Sequence, residues 1–107
     1  MISRREKIEA MLADDPSDTF LRYSLAMEFE KEGQHDSSLH KLTELANETP
    51  PYVPAFFMAG QQLVKLQRIR EARAILRNGI EVARTQGDLH AAGEMSEFLA
   101  SLGELGE

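Results

Sequence analysis

Hydrophobic residues recur every three or four positions along almost the whole chain, and no stretch alternates convincingly at a period of two. Leu21, Leu25 and Phe29, for example, are four residues apart, so a helix would place them on one face. The pattern therefore predicts an all-α protein with about six helices. Their expected spans are 2–13, 17–32, 36–48, 53–66, 69–84 and 88–102.

Helix-breaking residues separate the periodic segments. Gly33 and Gly87 lie between segments, as do the prolines at 16, 50, 51 and 54. An aspartate stands before three of the segments, where its carboxylate can accept hydrogen bonds from the first backbone amides of a helix. The expected N-caps are Asp18, Asp36 and Asp88.

The segments repeat. Pro16 and Pro50 are 34 residues apart, and a shift by that interval places Ala26 on Gly60 and Leu42 on Leu76. The arrangement resembles the tetratricopeptide repeat, a helix-turn-helix unit with the pattern W-x2-L-G-x2-Y, then A-x3-F, then P. In the first unit the pattern falls on Arg22, Leu25, Ala26, Phe29, Ser38, Leu42 and Pro50. In the second it falls on Phe56, Ala59, Gly60, Leu63, Ala72, Leu76 and Arg84.

The first unit departs from the family pattern at two positions, with Arg22 in the tryptophan slot and Ser38 in the alanine slot. The flanking segments match a second helix before the first unit and a first helix after the second unit. The resemblance thus implies a helix-turn-helix solenoid with a half repeat, two full repeats and a closing helix. We expect residues 1–103 to form a single domain and residues 104–107 to form a frayed tail.

Two packing features follow from this alignment. Ala26 and Gly60 are small, which allows the two helices of a hairpin to approach closely. Met95 and Leu99, with Leu102, should bury against the second repeat, because a stack of repeats needs a terminal helix that shields its core.

In the tetratricopeptide family, the first helices of the repeats line a concave groove. The resemblance implies that the groove of this chain presents Phe20, Tyr23, Met27, Phe57, Gln61, Val64 and Lys65. Glu30 and Lys31 would stand at its edge with Lys65. We interpret this surface as an apolar groove for a peptide or helix of a partner protein, whose identity the sequence does not give. The alternative is that the chain's own helices fill it.

Some family members hold a C-terminal carboxylate with lysine and asparagine in this groove. The corresponding slots here hold Tyr23, Met27 and Met58, so the resemblance does not extend to that function.

Charge is segregated along the chain, whose net charge is −6. Residues 1–50 carry 11 acidic and 6 basic side chains, and residues 51–86 carry 2 acidic and 6 basic side chains. Residues 87–107 carry 5 acidic side chains and no basic one. Four of the basic residues, spaced for one face of the fifth helix, are Arg70, Arg73, Arg77 and Arg84. They form either a solvated face or a secondary docking surface for an acidic partner or a second copy. Self-assembly, including a homodimer, is therefore the alternative to partner binding.

Several function classes are disfavoured by the sequence. There is no cysteine, and the three histidines lack the spacing of a helical metal site. No phosphate-binding glycine loop and no nucleophile–base combination stands out, so we expect no enzyme activity, metal or cofactor. The negative charge argues against nucleic acid, and no apolar run is long enough for a membrane span or a signal peptide. The expected location is the cytoplasm.

Overall fold

Six helices form where the apolar period predicts them. A computed structural model describes residues 2–103, and the secondary structure of that range is entirely helical. The helices are α1 (Arg4–Asp14), α2 (Thr19–Lys31), α3 (His35–Ala46), α4 (Val53–Lys65), α5 (Ile69–Thr85) and α6 (Leu89–Ser101). The predicted all-α class is confirmed, and the boundaries agree to within three residues. The expected tail, residues 104–107, lies outside the described range.

Side-chain caps begin three of the helices. Asp18 accepts a hydrogen bond from the Leu21 amide at 2.8 Å, and Asp88 accepts one from the Ala91 amide at 3.1 Å. Ser3 forms a reciprocal capping box with Glu6 at the start of α1. The expectation for Asp36 was wrong, because α3 begins one residue earlier and its N-cap is Gln34. The Asp36 carboxylate lies in the first turn of α3, where its negative charge interacts favourably with the helix dipole although Asp36 is not the N-cap.

The turns after α2 and α4 share one backbone geometry. The Gln34 amide donates to the Phe29 carbonyl at 2.9 Å, and the Arg68 amide donates to the Leu63 carbonyl at 2.8 Å. Each turn requires a residue with positive φ, a conformation that suits glycine. Gly33 meets this requirement with φ 78°, whereas the equivalent residue 34 positions later is Gln67 with φ 62°. The second turn is therefore strained by its side chain.

Each helix packs mainly on its neighbours in sequence. α2 pairs with α3 and α4 pairs with α5, while α1 and α6 flank these two hairpins. The resulting stack is elongated, with principal extents of 45 × 30 × 18 Å. None of the helices in residues 2–103 has both the length and the apolar character needed to cross a bilayer.

Small residues lie where helices approach each other closely. Ala26 is fully buried, and a Cβ atom on Gly60 would lie 2.6 Å from Leu76 Cδ2. The predicted close contacts at these two positions are confirmed. The structure adds Gly79, where a Cβ atom would lie 2.5 Å from Phe56 Cβ and 2.8 Å from Met95 Sδ. Gly79 brings α5 against both α4 and α6.

The closing helix covers the end of the stack. Met95 is fully buried and Leu102 nearly so, whereas Leu99 is half-buried against the same cluster. His90, Glu94 and Glu97 are exposed on the remaining surface of α6. The predicted role of α6 as a shield for the apolar core is therefore confirmed.

The two departures from the family pattern have local partners. Arg22 forms an ion pair with Glu48, which follows α3. The fully buried Ser38 hydroxyl donates to the Ala26 carbonyl at 2.7 Å. Ser38 thus fills the small-residue slot without leaving its hydroxyl unpaired.

We predict that Gly60→Ala and Gly79→Ala each lower the free energy of unfolding by about 1–3 kcal/mol, because the added methyl group overpacks a helix contact. The matched control is Gly93→Ala on α6, where a Cβ atom meets no atom within 4 Å. That change should raise the free energy of unfolding by up to about 1 kcal/mol through helix propensity. Urea denaturation of the three variants measures all three values. Equal stabilities would contradict the close approaches.

We also predict that Gln67→Gly stabilises the protein by about 0.5–1 kcal/mol, because glycine adopts the left-handed conformation without steric strain. Gly33→Ala at the equivalent position should destabilise it by about 1 kcal/mol. Thermal denaturation followed by circular dichroism compares the two. A lower melting temperature for Gln67→Gly would show that the contacts of the Gln67 side chain stabilise the protein by more than its backbone strain destabilises it.

Candidate functional site

The first helices of the repeats, α2 and α4, form one concave face together with α6. Two adjoining cavities lie on this face. The larger, which we call the lysine cavity, has a volume of about 440 Å³ and is lined by Met27, Glu30, Lys31, Met58, Gln61, Gln62, Val64, Lys65 and Phe98. The smaller, which we call the acidic cavity, has a volume of about 310 Å³ and is lined by Tyr23, Val53, Pro54, Phe57, Met58, Gln61, Asp88, Ala91, Glu94 and Met95.

Helix α4 connects the two cavities. Met58 and Gln61, which are neighbours on one helix face, line both of them. Phe57 lies in the acidic cavity and Val64 in the lysine cavity, seven residues further along α4. At 1.5 Å per residue, these positions are about 10 Å apart along the helix axis. The cavities therefore form adjacent subsites of one groove.

Most of the expected groove residues lie in these cavities. Met27, Gln61, Val64 and Lys65 line the lysine cavity, with Glu30 and Lys31 beside them. Tyr23 and Phe57 line the acidic cavity. Phe20 lines neither cavity and is 65% exposed at the start of α2.

The sequence interpretation missed Phe98 and Gln62. Phe98 belongs to the closing helix, and its ring centroid lies 5.6 Å from that of Phe57. Gln62 follows Gln61 on α4 and lines the lysine cavity although it is only 2% exposed. Aligning α6 with α4 at their first residues, Leu89 and Val53, places Phe98 on Gln62, and neither residue falls on a position of the family pattern that would have indicated the groove.

Aromatic contacts support the groove wall. Tyr23 and Tyr52 meet edge to face with ring centroids 5.6 Å apart. Burial raises the pKa of the Tyr23 phenol above its usual value, and Tyr52 adds a smaller electrostatic contribution. Burial also raises the pKa of Tyr52, with a smaller contribution from Asp18. Both phenols are therefore neutral at physiological pH and present uncharged polar groups.

A buried polar chain links three helices behind the lysine cavity. Gln62 Nε2 donates to Ser38 Oγ at 3.1 Å, and Ser38 Oγ donates to the Ala26 carbonyl. Gln62 is only 2% exposed, yet within residues 2–103 its Oε1 atom accepts no hydrogen bond. A carbonyl oxygen that is shielded from water and unpaired is unfavourable, so it marks a place where a ligand donor would be stabilised.

The two cavities differ in charge. In the lysine cavity, the Lys31 ammonium lies 3.2 Å from a carboxylate oxygen of Glu28, and Lys65 has no carboxylate partner in the described chain. The acidic cavity contains Asp88, which caps α6, and Glu94, whose carboxylate lies 3.3 Å from His90. The lysine cavity is thus lined by two ammonium groups, Lys31 and Lys65, and one carboxylate, Glu30, whereas the acidic cavity is lined by two carboxylates and no basic side chain.

The four arginines of α5 do not form one exposed face. Arg70, Arg77 and Arg84 are exposed, but Arg73 is 6% exposed and donates to the Gly103 carbonyl. The expectation of a continuous exposed stripe was wrong at Arg73. It lies beside Ala72 and Leu76 on the buried side of α5, where its stem packs and its guanidinium reaches the turn after α6.

The described residues offer no metal centre. No group of three or more histidine, aspartate or glutamate side chains in residues 2–103 is placed to hold a metal ion. The groove instead combines apolar surface with a few polar groups, which is the composition of a recognition site.

Comparison with known proteins identifies the fold. The solved structure of a tetratricopeptide repeat domain protein from Salinibacter ruber is 31% identical, has a TM-score of 0.78, and matches 84% of this chain and 91% of that chain. The chain belongs to the tetratricopeptide repeat family. This family membership and the helical repeat fold confirm the resemblance drawn from the sequence. Tetratricopeptide repeat proteins are generally non-catalytic modules for protein–protein interaction.

Two further relatives have similar lengths. A TPR repeat-containing protein of Pseudomonas aeruginosa is 27% identical over 97 residues, which span 91% of this chain and 92% of the relative. The solved structure of a protein from Bordetella parapertussis is 28% identical, has a TM-score of 0.76, and matches 95% of this tetratricopeptide repeat chain and 89% of that chain. No family model matches the chain.

We predict that the tyrosines of this tetratricopeptide repeat protein titrate at higher pH when it is folded. Tyr23 and Tyr52 are its only two tyrosines, so the phenolate absorbance near 295 nm reports on both. A raised folded-state pKa means that the folded protein retains protons that the unfolded chain has released above pH ~10, so stability falls as pH rises through that region. Titration with and without urea measures the difference. Coinciding midpoints would contradict the effect of burial.

Proposed function

We propose that this chain is a non-catalytic recognition module that binds a peptide or helix of a partner protein in its concave groove. One observation carries the proposal: the lysine cavity and the acidic cavity adjoin and are largely apolar within the described chain. An amphipathic segment can insert apolar side chains into two such adjacent cavities while its polar side stays in water.

The groove side chains suit this role. Phe57 and Phe98 support each other and provide fixed apolar area. Met27 and Met58 are unbranched and flexible, so they can adapt to the shape of an incoming side chain. Tyr23 adds a phenol that remains neutral and can form a hydrogen bond.

We predict that the double variant Tyr23→Ala/Phe57→Ala loses partner capture, because truncating an aromatic anchor commonly costs ~2 kcal/mol or more in binding. The matched control is Arg77→Glu/Arg84→Glu on α5, which changes exposed residues outside both cavities. A pull-down from cells of the native organism compares the two variants with the parent chain. Circular dichroism verifies that both double variants remain helical.

Two other results of the pull-down would contradict the groove as the binding site. Capture lost only in the arginine variant would move the docking surface to α5 and reject the groove. Capture unaffected in both would also reject the proposal, because neither set of side chains would then contribute to binding.

Self-association is the second candidate function, and α1 provides the observation that favours it. Ile2 and Met11 are 59% and 48% exposed, and Ile8 is the only buried residue within α1. This end of the solenoid could stack on a second copy. A light-scattering concentration series separates the two functions, since a dimer at low concentration favours assembly. A monomer throughout favours the recognition module.

A further inference from the structure

The charges along the groove give a bound segment a direction. Lys31 and Lys65 are the last residues of α2 and α4, whereas Asp88 caps the start of α6 and Glu94 lies in its first half. Lys31 shares the Glu28 carboxylate with Arg4, and Glu30 also lines the lysine cavity, so Lys65 is the cation of this cavity that has no carboxylate partner in residues 2–103. A bound peptide is therefore favoured when its acidic residue lies at the lysine cavity and its basic residue lies at the acidic cavity.

Gln62 adds a second, independent requirement. Its side chain lines the lysine cavity, and its Nε2 atom is occupied by Ser38. Its Oε1 atom is buried and accepts no hydrogen bond from the described residues. A ligand atom that completes this site must be a donor, such as N–H or O–H.

The other residues that line the lysine cavity favour a large aromatic side chain of the ligand. Met27, Met58, Val64 and Phe98 provide apolar walls, and 440 Å³ is ample for an aromatic side chain. Methionine sulfur atoms pack favourably against aromatic rings, and their flexible side chains can move aside to admit a ligand atom to the shielded Gln62 oxygen. An aliphatic side chain or phenylalanine would fill the walls but leave Gln62 unpaired.

We propose that the partner segment places a tyrosine or tryptophan side chain in the lysine cavity, with its O–H or N–H donating to Gln62 Oε1. An acidic residue next to this aromatic residue faces Lys65, and a basic residue further along the segment faces Asp88 and Glu94. The inference rests on the proposed peptide-binding function and narrows it to one class of segment. The span of about 10 Å between Val64 and Phe57 corresponds to three residues of extended chain or two turns of helix.

A displayed library of random 12-residue peptides tests the proposal with the full chain as bait. The expected result is enrichment of tyrosine or tryptophan beside aspartate or glutamate, with lysine or arginine on the other side. Enrichment of leucine or phenylalanine without this charge order would overturn the proposal while leaving groove binding intact. If every selected peptide binds the Tyr23→Ala/Phe57→Ala variant as well as the unaltered protein, or if no peptide is selected, the proposed function itself would be overturned.

The hydrogen bond is tested with synthetic versions of the selected peptide. Tyrosine is replaced by phenylalanine, or tryptophan by benzothienylalanine, which has the same shape without the N–H group. We expect affinity for the unaltered protein to fall roughly three- to tenfold, as for the loss of one buried hydrogen bond. In Gln62→Met, the paired peptides should bind within about twofold of each other, because the acceptor is gone. Equal affinities for the unaltered protein would overturn the assignment of the donor.

The charge order is tested with Lys65→Glu against Lys7→Glu, an exposed position on α1 outside the groove. The two variants change the net charge equally. Lys65→Glu should weaken binding of the acidic peptide roughly three- to tenfold, because one exposed ion pair is lost and replaced by a repulsion, and should favour a peptide in which that acidic residue is lysine. Lys7→Glu should leave the preference unchanged. Equal effects of the two variants would show that only overall charge matters and would reject the direction proposed here.

Discussion

Every helix of this chain has an apolar side that only a neighbouring helix can cover, and this dependence governs the rest of the structure. Two close contacts between helices occur where a side chain is missing. Gly60 accommodates Leu76, and Gly79 accommodates Phe56 and Met95. Through Gly79, one position fixes the distances of α5 from both α4 and α6. Since α4 and α6 carry most of the groove, its shape depends on these contacts outside it.

The groove is what remains after the helices have stacked. α2, α4 and α6 use one side to contact the second helices and leave another side facing a common concavity. Phe57 takes part in both the packing and the groove, because its ring contacts Phe98 and also lines the acidic cavity. The expectation of an apolar groove and its alternative, in which the chain fills its own groove, thus each describe part of the geometry. The closing helix supplies one wall of the groove and leaves two cavities open.

The same stacking determines which charges reach a partner. The basic block in residues 51–86 is largely carried by Arg70, Arg73, Arg77 and Arg84 of α5, outside both cavities. Of its basic residues, Lys65 lines the lysine cavity, whereas Arg68 and Arg70 line clefts elsewhere on the surface. The acidic end of the groove comes from Asp88 and Glu94 instead. Charge segregation along the chain is therefore a poor guide to the charge of the groove, because hairpin folding places alternate helices on opposite faces.

The sequence by itself determined the helices, their boundaries and the repeat. An apolar period of three to four residues depends only on local geometry, and a 34-residue period identifies the stacking unit. The family resemblance further implied that Tyr23, Met27, Phe57 and Val64 face one groove. The helices and the repeat can be recognised from the sequence because each is defined by a spacing along the chain.

Contacts between helices were decided only by the tertiary structure. Arg73 has the spacing of an exposed stripe yet is buried, and Phe98 reaches a groove formed mainly by other helices. Gln62 lines a cavity and has a side-chain carbonyl that accepts no hydrogen bond from residues 2–103. Each outcome depends on how far one helix is rotated and how closely it approaches the next. Periodicity identifies the apolar side of a helix, but the atom opposite each side chain is set by the packing of all six helices together.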